Sequence, residues 1–212
     1  MRKSLRRLYQ YISIFMIATL PGACPAFATT FATKGVQVAF LQKRDDLGHV
    51  IDLEPGGRGF FHVAVSYQGQ WLHSHPRGGV QLSPDLAPFG ELAAVLKSTG
   101  YTEPSTEIVN SILGRPYDPY FSWGDQAYYC SEMIAKIFQI DPKPMRFDGE
   151  YWRKYFALLH IVAPSSAPGV SPDGVYNGLI EKGFLPFLTT HGLVQEIASQ
   201  TPCSAALTQT LK

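Results

Sequence analysis

Long apolar runs, blocks of one charge and cysteine are all scarce in this chain, and each scarcity excludes something. The apolar stretch from Tyr11 to Leu20 is about half of the ~20 residues that a transmembrane helix needs. The net charge is +1, and four of the basic residues (Arg2, Lys3, Arg6 and Arg7) sit at the extreme N-terminus. No basic block is left in the remainder, which argues against nucleic acid as a partner. Three cysteines, Cys24, Cys130 and Cys203, are too few for a disulfide framework. Internal repeats and low-complexity segments are absent as well.

The N-terminus has the pattern of a targeting signal. Basic residues precede the short apolar core, and Ala26-Phe27-Ala28 has the small-x-small form of a signal-peptidase site. Residues 1–28 are therefore expected to be a cleaved signal peptide, with 29–212 a single secreted or periplasmic domain. Leu20-Pro21-Gly22-Ala23-Cys24 loosely resembles a lipobox, but Pro21 fits it poorly, so a lipoprotein is the lesser expectation. Cleavage at Ala28 removes Cys24. Cys203 lies in a polar, small-residue tail, and both it and Cys130 are read as free thiols.

Strand patterns come first in the domain. Gly35–Gln42 is apolar and β-rich, and Phe60–Tyr67 reads as a strand. Gln68-Gly69 makes a tight turn, and Gln70–His75 returns as the partner strand. Helical patterns fall at 88–97 and 106–113. Residues 117–120 read as an aromatic strand or loop, and a helix runs from Cys130 to near Gln139. A further helix covers 150–160, and a Pro/Ser/Gly connection spans 163–174. The fold class is α+β.

Cys130 opens an apolar helical run in Tyr128-Tyr129-Cys130-Ser131-Glu132. A thiol in the first turn of a helix feels the positive end of the backbone dipole, which favours thiolate, the nucleophilic form. The competing reading is a small buried hydrophobe. A two-residue turn at Gln68-Gly69 sets His62 opposite His75 and Ala64 opposite His73, so three imidazoles share one face of the hairpin. Two chemistries use such a cluster. In one, a histidine takes the Cys130 proton and a second orients the first. In the other, His73-x-His75 with His62 and Cys130 coordinates zinc and activates water.

Four segments occur in order: Phe61-His62-Val63-Ala64-Val65, Trp71-Leu72-His73-Ser74-His75-Pro76-Arg77-Gly78-Gly79-Val80, Gly114-Arg115-Pro116-Tyr117-Asp118 and Tyr129-Cys130-Ser131-Glu132. Together they resemble the permuted papain-fold hydrolases of the NlpC superfamily, the YiiX/YaeF-like group. The resemblance implies a permuted papain-like (NlpC-type) fold in which an antiparallel sheet packs against the nucleophile-bearing helix. It further implies a secreted cysteine amidase or peptidase without cofactor or metal. Peptide, peptidoglycan or acyl-lipid substrates would be cleaved at an amide or related acyl bond. Cys130 matches the family nucleophile and His62 its base. Relatives carry Glu-Ala where this chain has His73-Ser74, leaving the third catalytic residue open between His73 and His75. Glu132 is expected to brace the helix start, and Tyr117 and Asp118 to line the cleft or pack beside it. A non-catalytic cell-envelope binding module and a zinc-dependent hydrolase are the alternatives.

Overall fold

The computed structural model describes residues 35–189, so the signal segment, Cys24 and Cys203 lie outside the described residues. The strands are β1 (Val36–Gln42), β2 (His62–Tyr67), β3 (Gln70–His75), β4 (Gly79–Ser83) and β5 (Glu91–Ser98), with a 3-10 turn at Ala87–Phe89 before β5. Helices α1 (Thr106–Ile112) and α2 (Cys130–Ile137) follow, then the two-residue strand β6 (Lys143–Pro144) and α3 (Glu150–Leu159). The two-residue strand β7 (Pro168–Gly169), α4 (Pro172–Glu181) and β8 (Leu185–Thr189) complete the order. The main sheet has six strands in the order β4-β3-β2-β1-β5-β8, every neighbouring pair antiparallel.

The hairpin forms as its sequence directs. Gln68 and Gly69 have φ of 49° and 76°, the left-handed values that a two-residue turn between twisted strands requires. Tyr67 pairs with Gln70 and Val65 with Leu72, which is the register expected from the turn.

One element departs from its sequence pattern. Residues 88–97 read as helical, yet Ala87–Phe89 is a single 3-10 turn and Glu91–Ser98 is a strand. Leu, Ala and Lys are good helix formers, but propensity yields to tertiary pairing. β5 lies between β1 and β8, and Ala93 to Leu96 are buried. Gly90 makes the switch between turn and strand, since a Cβ there would meet the Gln42 carbonyl at 2.6 Å.

The connection read at 163–174 also holds more order than expected. It contains β7 and the start of α4, whose cap Ser171 accepts the Gly174 amide at 3.0 Å while Pro172 fills the first helical position.

Apolar side chains of α1, α2 and α4 cover one face of the sheet. Val109, Ile112, Met133, Ile134, Val175 and Leu179 join Val38, Val65, Leu72 and Leu96 in the principal core. Met133 and Ile134 are almost wholly buried, each worth about 1.5–3 kcal/mol of apolar transfer. A second, aromatic cluster gathers Phe121, Tyr129, Phe147, Trp152 and Phe156. It ties α3 to the loop that leads into α2. Among the described residues no helix is long and apolar enough to cross a membrane.

Candidate active site

Cys130 is the first residue of α2, and the loop ahead of it is tied down on both sides. The Tyr128 amide donates to the Pro116 carbonyl at 3.0 Å, and the Asp118 amide to the Tyr128 carbonyl at 3.2 Å. The same carbonyl accepts the Ser74 hydroxyl of β3 at 2.6 Å. Glu132 braces the helix start: one oxygen accepts the Tyr129 amide at 3.4 Å and the other the Gly124 amide at 2.9 Å. Ser131 donates to the Val170 carbonyl at 2.7 Å. Asp118 is consumed within its own loop, where it accepts the amides of Tyr120 and Ser122 and the Ser122 hydroxyl.

The thiol is buried. The Val63 amide and the start of α2 at Ser131 act to favour its thiolate. Burial outweighs these donors and pushes the thiol up to about 11. The helix dipole had been expected to favour thiolate; removal from water wins here, and Cys130 rests as a protonated thiol. Tyr117, Tyr129 and Tyr151 lie within electrostatic reach of the sulfur. All three phenols are raised mainly by burial, Tyr151 to about 12.

The three histidines form a cluster of their own at one end of the β2–β3 hairpin. Val63, which packs in the principal core with Cys130, follows His62 directly in β2. Among the described residues the β2–β3 ladder stops at Val65–Leu72, so the hairpin is unpaired at the end that carries His62, His73 and His75. His62 Nε2 and His73 Nδ1 are 3.0 Å apart. His73 Nε2 in turn lies 2.9 Å from Ser83 Oγ on β4. His75 is drawn into its own turn, its Nδ1 accepting the Arg77 amide at 3.2 Å. Phe89 caps the cluster, its ring centroid 4.4 Å from His73 and 4.9 Å from His75.

All three imidazoles are held toward the neutral form. Burial is the first cause in each case, with His73 lowered to about 4 and His62 well below its ordinary value. Among the described residues no hydrogen bond joins the thiol to an imidazole. His62 makes its hydrogen bond to His73 through Nε2.

The zinc arrangement does not fit these side chains. Facing nitrogens of His62 and His73 bond each other, the second nitrogen of His73 meets a hydroxyl, and His75 Nδ1 serves a backbone amide. Among the described residues no group of three or more His, Cys, Asp or Glu side chains could hold a metal ion.

Sequence reasoning placed Cys130, His62, His73 and His75 in one region but missed three neighbours. Ser83 is a lone serine at a strand end. Phe89 was hidden in a segment read as helix. Tyr151 was one aromatic among several in α3. Only the strand order β2-β3-β4 brings Ser83 beside His73, and no local pattern announces it.

No protein-family model matches the chain, and no curated protein matches it. One solved structure does: the crystal structure of metalloprotein yiiX from Escherichia coli O157:H7, at 20% identity and a TM-score of 0.52, with 74% of this chain and 97% of that one covered. At that identity the likeness concerns the fold alone, and the described residues carry a YiiX-like α+β fold.

Proposed function

We propose that this protein is a secreted cysteine hydrolase with a permuted papain-like site, in which Cys130 is the nucleophile, His62 the base and His73 the residue that orients it. The observation that carries this reading is the pairing at 3.0 Å of His62 Nε2 with His73 Nδ1, on the strand whose next residue, Val63, packs in the core with Cys130. In this reading the pair supplies the base and the orienter for the Cys130 nucleophile.

Because thiol and imidazole both rest neutral, proton transfer accompanies attack. His62 Nδ1 takes the thiol proton as sulfur adds to the substrate carbonyl. Amides at the start of α2 hold the developing oxyanion. The imidazolium returns its proton to the leaving amine, and the acyl-enzyme forms. Water, deprotonated by the same imidazole, releases the acid and restores the thiol. The substrates that fit export and this chemistry are amide bonds of cell-wall peptides or lipid-linked acyl groups.

Mass spectrometry of the mature protein after exposure to an electrophilic acyl probe tests the reading. Covalent labelling at Cys130, abolished in His62→Ala and indifferent to chelators, supports it. Labelling lost on chelation would favour a zinc hydrolase. Binding of peptidoglycan fragments without any labelling would favour a non-catalytic envelope-binding module.

A further inference from the structure

One end of the main sheet gathers hydrogen-bond donors without acceptors for them. β1 leaves at Gln42, β2 enters at His62, β3 leaves at His75 and β4 enters at Gly79. Leu41 pairs with His62 and His75 with Gly79, both antiparallel, so all four strand ends lie together. Lys43 follows β1 directly, and Arg77 sits in the turn between β3 and β4. Both are exposed, and His75 is half-buried. Lys43 and Arg77 are the cations whose charge reaches the His75 ring, and Lys43 Nζ lies 5.2 Å from the centre of the Phe61 ring.

The nearby acids are spent elsewhere. Arg44, the next residue, is neutralised by Glu91 at 3.0 Å, and Asp45 accepts the amides of Leu47 and His49. Among the described residues no carboxylate pairs with Lys43 or Arg77. His75 adds a third donor. A backbone amide only donates, so the Arg77 amide at 3.2 Å requires a lone pair on His75 Nδ1. Burial and the two cations hold this ring toward the neutral form, so its proton sits on Nε2. Among the described residues Nε2 has no hydrogen-bond partner. The rings packed around His75 are His62, His73 and Phe89, at 5.7, 6.4 and 4.9 Å between centroids, and none of them brings a negative charge.

We propose that Lys43, Arg77 and the Nε2–H of His75 form an oxyanion-binding subsite that takes a carboxylate or a phosphate group. A guanidinium fork matches the paired oxygens of either group, the ammonium adds a point charge, and the imidazole N–H adds direction. The subsite adjoins the thiol's surroundings. Phe61, beneath Lys43, meets Tyr151 edge-on at 5.4 Å, and Tyr151 lies within electrostatic reach of the Cys130 sulfur. The preferred substrates are then amides that bear an anionic group near the scissile bond, a consequence that rests on the hydrolase reading above, whereas the subsite itself does not.

Long-range proton–nitrogen correlation spectra of the 15N-histidine-labelled protein test the subsite, with His75→Asn used to assign the His75 signals. In the free wild type His75 is expected as the Nε2–H form. Three probes are titrated at constant ionic strength: inorganic phosphate, an acetylated dipeptide with a free C-terminal carboxylate, and the same dipeptide amidated. Phosphate or the free carboxylate should shift the His75 nitrogens saturably and the amide should not; the tighter of the two names the group. Arg77→Gln and Lys43→Gln, both at exposed positions, should each weaken that binding by about fivefold, the worth of one exposed charge contact. On a hydrolysed substrate carrying the group, Arg77→Gln should raise KM by a similar factor with kcat unchanged. A free wild-type His75 protonated at Nδ1, no saturable shift with either anion, or undiminished binding in both variants would overturn the proposal. Saturable binding that depends on Lys43 and Arg77, without hydrolysis of any substrate, would instead remove the hydrolase reading and leave the subsite standing.

Discussion

The Ser74 hydroxyl donates to the Tyr128 carbonyl at 2.6 Å, and this one bond ties the strand that carries His73 and His75 to the loop that delivers Cys130. Both groups are buried, so neither finds water if the other is removed. Ser74→Ala is expected to cost about 1–3 kcal/mol, the range for stranding a buried polar group. It should also lower kcat more than it raises KM, because the thiol shifts relative to β2. Denaturant unfolding and steady-state rates check the two parts; a variant as stable and as active as wild type would show that the tie is not needed.

The buried thiol gives a second expectation. With Cys130 pushed up to about 11, only about one molecule in 10^4 carries free thiolate at neutral pH, against a few per cent for an unperturbed cysteine. Alkylation by iodoacetamide should be slow near pH 7 and climb roughly tenfold per pH unit toward that value. Rapid, pH-independent alkylation at neutrality would mean that a thiolate–imidazolium pair already exists at rest. The helix-start position of Cys130 was legible in the sequence, but the sign of its shift was not. A helix terminus is a local feature, whereas burial by the surrounding core comes from segments far away in the chain.

Acid should weaken the fold. His73 falls from an ordinary 6.5 to about 4 on folding, and His62 is lowered well below its ordinary value in the same direction. Between those values the unfolded chain binds more protons than the native one, so stability rises with pH there and is lost as pH falls from 6.5 toward 4. His73 alone accounts for up to about 3 kcal/mol of that loss, at 1.36 kcal/mol per unit. Chemical denaturation at a series of pH values measures it. His73→Gln should flatten the curve in this window, and an equally steep curve would place the acid sensitivity elsewhere.

The reach of sequence reasoning followed the range of the signal. Gln68-Gly69 announces a two-residue turn in the sequence, and the register Tyr67–Gln70 that follows from it sets three histidines on one face. The Cys130 helix was legible from its apolar spacing, and Glu132 braces its start as expected. β5 was not legible, because Glu-Leu-Ala-Ala-Val-Leu-Lys is helical by composition and becomes a strand only between β1 and β8. Ser83 and Phe89 escaped for a related reason, since their roles arise from strand order and from a turn packed against it. Asp118 stood beside Tyr117 as a cleft candidate, and the structure uses it to close its own loop.

The choice between His73 and His75 gives the last expectation. His73 is completely buried and bonded at both nitrogens. His75 is only partly buried, and its Nδ1 is occupied by the Arg77 amide. Removing His73 leaves His62 Nε2 without its partner in a dry site, so His73→Ala should lower kcat by about 10^2-fold, within the range for losing one positioned acid–base group. His75→Ala should cost no more than a few fold, since it removes a turn contact and leaves the pair intact. His62→Ala and Cys130→Ala should each be more damaging than either, and the double variant no worse than Cys130→Ala, because residues that act as one unit are not additive. Rates for the four single variants and the double variant decide it. A larger loss in His75→Ala than in His73→Ala would move the orienting role to His75, and full additivity of His62 with Cys130 would separate the base from the nucleophile.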